Sequence, residues 1–235
     1  MNGVNDRESF ERLVTALAPW LDHMVVVGGW AHQLYRLHPH AQELTYPALM
    51  TLDTDVAVPG KLPVGEQDIR ERLLAHGFTE ELIGDSSPPA THYHLGGGTT
   101  GFYVEFLTPL IGSQNDRKHQ RKMTMDIAGV ISQQLRYIDV LLHHPWSVDF
   151  ESDAFTAKIQ IANPVSFLAQ KVLIHGRRER EDRAKDILYI HDTFEVFGAR
   201  LDELQSLWRD IVAPQLWFHS GVWVTHHFRR TNFEC

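Results

Sequence analysis

Thr51-Leu52-Asp53-Thr54-Asp55-Val56-Ala57-Val58 is the stretch on which the reading of this chain turns. Its β-branched and apolar residues, closed by Pro59-Gly60, predict a strand over 51–58. Side chains alternate faces along a strand, so Leu52, Thr54, Val56 and Val58 point one way. Asp53 and Asp55 point the other way, their Cα atoms ~7 Å apart at a rise of ~3.3 Å per residue. Aspartate is depleted in strands, and two on one face repel each other unless water or a counter-charge neutralises them. A divalent cation with a preference for hard oxygen ligands, magnesium above all, does this naturally. A half-exposed edge strand that tolerates two acids is the other reading of the same residues.

A second strand is predicted in Gly101-Phe102-Tyr103-Val104-Glu105-Phe106-Leu107, where Glu105 is the only charge. So apolar a strand suits a central position, where an unpaired buried carboxylate is costly. An edge position with Glu105 in water is the alternative. Beside the aspartates, Glu105 would complete a three-carboxylate cage for two metal ions about 3.5–4 Å apart.

Upstream, Val25-Val26-Val27-Gly28-Gly29-Trp30-Ala31 reads as strand, turn and helix. Two glycines at such a junction let the backbone approach a ligand closely, and a helix N-terminus behind them favours phosphate. The pattern matches neither a Walker loop nor the six-residue dinucleotide fingerprint.

Around these segments, helical spacing of Phe10, Leu13, Val14 and Leu17 predicts a helix over 6–18, ended by Pro19. Helices are expected at 31–37 and 67–76, the latter capped by Gly77, with loops at 38–50 and 84–90. His92–Leu95 and Phe102–Leu107 flank Gly96-Gly97-Gly98 and read as a hairpin. Residues 112–122 read as an exposed connection and 123–161 as further short strands. Asn163-Pro164 is a helix start, followed by helices near 164–176, 182–197 and 200–211. The expected fold is therefore α/β (α+β), a mixed sheet flanked by helices over residues 1–162, with a C-terminal helical part over 163–235.

Of 235 residues 43% are hydrophobic and 22% charged, an ordinary globular balance that argues against disorder. Cys235 is the only cysteine, which excludes an internal disulfide scaffold and suits a reducing, cytoplasmic setting. The longest apolar run, Met24 to Val27, is too short to cross a membrane, and no secretory leader opens the chain. Net charge is −8, which disfavours nonspecific nucleic-acid binding. The balance is uneven: −8 over 1–114, +3 over 115–185 and −3 over 186–235. Within the basic middle, Arg117-Lys118-His119-Gln120-Arg121-Lys122 leans toward an anionic acceptor. Fifteen histidines invite a zinc reading. His92 and His94 share a strand face, but the adjacent pairs His143-His144 and His226-His227 offer at most one ligand per face, and no zinc spacing appears. The aromatic tail from Trp217 to Phe228 reads as a segment completing the core, or as a partner surface.

These pieces together resemble the polymerase-beta-type nucleotidyltransferase superfamily. Gly28-Gly29-Trp30-Ala31-His32-Gln33-Leu34-Tyr35-Arg36 with Thr51-Leu52-Asp53-Thr54-Asp55 is similar to its AbiEii-type branch, which includes toxins of toxin–antitoxin pairs. Pro164 to Lys171 and Arg183-Ala184-Lys185-Asp186-Ile187-Leu188-Tyr189 resemble that branch's later motifs. The resemblance implies that Gly28 and Gly29 hold a nucleoside triphosphate such as ATP, while Asp53, Asp55 and Glu105 bind two Mg2+ ions and act as the catalytic carboxylates. It implies that Lys171 reaches a phosphate and that Lys185 and Asp186 orient nucleotide or acceptor. Read from the residues alone, Lys171 is equally a surface lysine, and Lys185-Asp186 part of a solvated charge run. The acceptor would be a transfer RNA, a protein side chain or a small molecule, and a toxin of this type would have an antitoxin partner. The chain departs from the pattern where relatives often carry serine in place of Gly29, and in an apparent insertion over 38–50. A catalytically silent relative that binds nucleotide or a partner protein is the alternative.

Overall fold

A computed structural model describes residues 3–63, 67–96, 101–112 and 123–214. Helix α1 (Gly3–Leu17) buries Phe10, Leu13, Val14 and Leu17 along one stripe, and the chain tightens into a 3-10 turn, Ala18–His23, at Pro19. Strand β1 (Val25–Val27) is buried on both faces, as its run of valines requires. Helix α2 spans Gly28–Leu34, so the helix begins at the glycines themselves rather than at Ala31, and a 3-10 turn, Tyr35–Leu37, follows. Strand β2 is Asp53–Ala57. Helix α3 (Ile69–Ala75) opens with a capping box between Asp68 and Glu71, and Gly77 leaves it at φ +85°.

Strand β3 (Thr79–Ile83) was not anticipated: four of its five residues are exposed, so it has no apolar alternation to read. Strands β4 (Ala90–Leu95) and β5 (Phe102–Pro109) form the expected hairpin, with Gly97 and Gly98 outside the described residues. The region 123–161 resolves into β6 (Thr124–Ile127), β7 (Val130–Leu135), the short helix α4 (Ile138–Leu141), β8 (Trp146–Glu151) and β9 (Thr156–Ile161). The C-terminal part is α5 (Pro164–Ile174), α6 (Arg180–Phe197) and α7 (Leu201–Leu207), the last running into a π turn at Trp208–Val212. Asn163 caps α5 as its sequence predicts, accepting from the Ser166 N–H at 2.8 Å. The basic stretch 117–122 and the tail 217–228 lie outside the described residues.

The strands make one mixed sheet in the order β3-β4-β5-β2-β1-β9-β8, and β7, paired with β6, runs beside the end of β5. Pairings β2–β5, β1–β9 and β5–β7 are parallel and the others antiparallel. On one face Val56, Val104 and Phe106 pack with Phe10 and Leu13 of α1 and Ile69 and Leu73 of α3. The same cluster takes in Val165, Phe167, Tyr189, Phe197 and Leu204 from beyond residue 162. On the other face a smaller cluster joins Val27, Ala57 and Leu107 to Ile138 and Leu141 of α4. Among the described residues α4, with Leu135 and Leu142 beside it, packs on that second face at Ala57 and Leu107. One pleat nearer the strand starts, Asp55 and Glu105 are left facing a cleft.

Candidate active site

Parallel pairing of β2 and β5 sets Asp53 opposite Tyr103 and Asp55 opposite Glu105. Partners in register share a face, so alternation within each strand and pairing between them bring all three carboxylates to one side of the sheet. On the other flank of β2, Val27 pairs with Asp55, and Gly28 follows at φ +63°. A Cβ on Gly28 would run into the Asp55 carboxylate, so the turn reaches the acid as closely as it does only because that residue is glycine. Across the antiparallel β4–β5 pair, His92 stands opposite Glu105, with Nε2 3.1 Å from Oε2. The His92 ring stacks on Tyr103 at 5.0 Å.

Burial, and then the Glu105 charge beside it, pushes the Asp55 carboxyl well above the usual carboxylate range. Burial acts on Glu105 in the same sense, but hydrogen bonds from His92 and Asp55 outweigh it and hold Glu105 below its ordinary value. The two carboxyls thus diverge, burial favouring the neutral form of Asp55 and hydrogen bonding the ionised form of Glu105. Thr51 Oγ1 donates to Asp53 Oδ1, and Lys185 Nζ lies 4.0 Å from that same oxygen. Burial, then the Asp53 charge, lifts the Tyr189 hydroxyl to about 12.

Facing the acids, α5, α6 and the turn between them supply the positive charge. Lys171, buried to 8% exposure, donates to Asp186 Oδ1 at 2.7 Å, and Arg178 Nε donates to Oδ2 of the same carboxylate at 3.2 Å. A cleft of about 460 Å³ is lined by Gly28, Asp53, Asp55 and Glu105 on the sheet side and by Lys171, Arg177, Arg178 and Lys185 on the helix side. Of the residues singled out in the sequence, these six line the cleft: Gly28, Asp53, Asp55, Glu105, Lys171 and Lys185. Gly29 and Asp186 stand behind it. Gly29 is pressed against Thr51 and Tyr189, a Cβ there lying 2.7 Å from the Tyr189 hydroxyl, and Asp186 is fully buried under its two cations.

Sequence reasoning passed over Thr51, His92, Arg177, Arg178 and Tyr189. Thr51 was legible, since it shares the Asp53 face by alternation. His92 was weighed only as a zinc ligand, and its partner emerges from strand register. Among the described residues, no three His, Cys, Asp or Glu side chains converge as they stand on a point that would hold a metal ion. Asp55 and Glu105 already interact, whereas Asp53 is drawn toward Thr51 and Lys185. The donor chemistry nonetheless fits a hard divalent cation, whose charge would neutralise the acid pair.

A mixed sheet thus sets an Asp-x-Asp strand against a parallel strand's glutamate, beside a strand-glycine-helix turn. The chain belongs to the nucleotidyltransferase family whose model matches residues 7–213. No curated protein matches it. Among solved structures it is similar to an antigenic nucleotidyltransferase-like protein from Paracoccidioides brasiliensis, at 16% identity and a TM-score of 0.40 over 92% of this chain and 90% of that one. Among the described residues no helix is long and apolar enough to cross a membrane.

Proposed function

We propose that the chain moves a nucleotidyl group from a nucleoside triphosphate to an acceptor hydroxyl or phosphate, with Mg2+. The observation that carries this is three carboxylates on one sheet face lining a single cleft with five cationic side chains, Arg136, Lys171, Arg177, Arg178 and Lys185. Asp53, Asp55 and Glu105 would hold two magnesium ions, which when bound sharpen the acceptor oxygen and clamp the triphosphate and its leaving pyrophosphate. Lys171, Arg177, Arg178 and Lys185 set fixed positive charge where a polyphosphate would lie. Asp186 keeps the Lys171 ammonium and the Arg178 guanidinium in place. Glu105, the ionised member of the acid pair, helps take the acceptor proton, and His92 holds its carboxylate. Nucleotidyl transfer needs positioning and charge neutralisation rather than a protein nucleophile, so this set is sufficient.

The AbiEii-type resemblance supports a toxin acting on a transfer RNA, a protein or a small molecule and restrained by an antitoxin partner. Incubating the protein with each labelled nucleoside triphosphate, Mg2+ and a cell extract identifies donor and acceptor together. Labelling that survives Asp53→Ala would sink the proposal. A second reading, a silent relative that binds nucleotide without turnover, is favoured by one observation: Asp53 is engaged by Thr51 and Lys185. Mg2+-dependent nucleotide binding with no pyrophosphate release selects it.

A further inference from the structure

Helices α5, α6 and α7 leave an apolar groove on the side away from the acids, about 420 Å³ in volume. Leu168 and Val172 of α5, Phe194 of α6, Leu201 and Leu204 of α7 and Trp208 of the π turn line it. Val172 is 68% exposed, Leu201 51%, Phe194 46% and Trp208 42%, more apolar surface in one place than scattered surface residues account for. Trp208 lines the groove, and the described chain ends six residues later at Pro214, two after the buried Val212. The 21 residues beyond it carry Leu216, Trp217, Phe218, Val222, Trp223, Val224 and Phe228, against three charges, Arg229, Arg230 and Glu234. An extended chain covers ~3.3 Å per residue, so a few residues past Pro214 suffice to cross the groove.

We propose that residues 215–235 dock in this groove and cover it with their aromatic side chains. The occupant follows from connectivity and composition: the aromatic-rich segment 215–235 begins seven residues after Trp208, a groove-lining residue. Helices α5 and α6 carry Lys171 and Lys185 on their cleft side and Leu168, Val172 and Phe194 on their groove side, with Arg178 in the connection between them. A seated tail therefore braces the two helices that hold the cations.

The test uses the full chain with a nitroxide on Ser220→Cys, with Cys235→Ser removing the native thiol. The methyl resonances of Leu168, Val172 and Leu201 are expected to lose intensity while those of Val148 and Ile159 in the sheet keep theirs. The loss should persist when labelled chains are diluted into unlabelled ones. Adding Trp217→Ser and Trp223→Ser should restore the groove methyls and leave the sheet resonances unmoved. Unaffected groove methyls would overturn the proposal. So would a loss that dilution abolishes, which makes the occupant a second copy, or one that survives the tryptophan changes.

Discussion

Asp55 and Glu105 are direct partners on adjacent parallel strands, and their carboxyls interact by hydrogen bond and by charge. One proton relieves the repulsion between them. Asp55→Asn puts a neutral group of the same shape beside the Glu105 charge and removes the need to hold a proton there, so it is expected to leave thermal stability unchanged or raise it by up to about 1 kcal/mol. Nucleotidyl transfer should fall by at least about 100-fold, the scale of losing one preorganised charge-stabilising group. Calorimetry and a pyrophosphate-release assay on the same preparation check both halves.

His92 orients Glu105 through the 3.1 Å contact to its Oε2. His92→Phe deprives the carboxylate of that partner, and Mn2+ affinity read by electron paramagnetic resonance should drop about 10-fold, the usual effect of losing an outer-shell partner. His92→Gln keeps a donor near the Nε2 position and should recover most of it. Equal affinities for the two variants would assign His92 to packing alone.

Gly29 has no room for a side chain. Its Cβ would meet the Tyr189 hydroxyl at 2.7 Å and the Thr51 Cβ at 2.8 Å. Gly29→Ser should cost about 1–3 kcal/mol in urea unfolding, the range for overfilling a packed site. Gly29→Ser combined with Tyr189→Phe, which removes the opposing hydroxyl, should recover part of it.

The buried pair of Lys171 and Asp186 gives a coupling experiment. Lys171→Met leaves Asp186 buried with Arg178 as its remaining hydrogen-bonded cation, at a cost of about 3 kcal/mol, the low end for breaking such a pair. Asp186→Leu should also destabilise. The double variant should lose less than the sum by about 1–3 kcal/mol, a coupling that denaturant titrations resolve.

His38 stacks on Trp146 at 4.2 Å and abuts His40 at 4.9 Å. Burial, then the His40 charge, lowers its pKa from 6.5 to about 4. The folded value lies below the unfolded one, so the unfolded chain takes up this proton first as pH falls. Its contribution to stability is whole above about 6.5 and is lost on the way down to about 4. His38→Gln, which does not titrate, should flatten the stability-versus-pH curve in that window. A slope unchanged by the substitution counts against this origin.

Within-strand alternation made Asp53 and Asp55 legible as co-facing acids, and marked Glu105 as the odd charge in an apolar strand. Strand β3 escaped because exposure removes the hydrophobic signal that sequence reading relies on, and the start of α2 was displaced because glycine carries no helical preference to read. The sequence by itself determined which residues alternate, where helices are capped and which segments are too apolar for the surface. Only the tertiary structure decided that Glu105 sits beside Asp55, that His92 holds it, and that Asp186 anchors Lys171 and Arg178. Those are matters of register between distant strands and of packing between helices. Their energies come from contacts that exist only once the chain has closed on itself, so no local spacing encodes them.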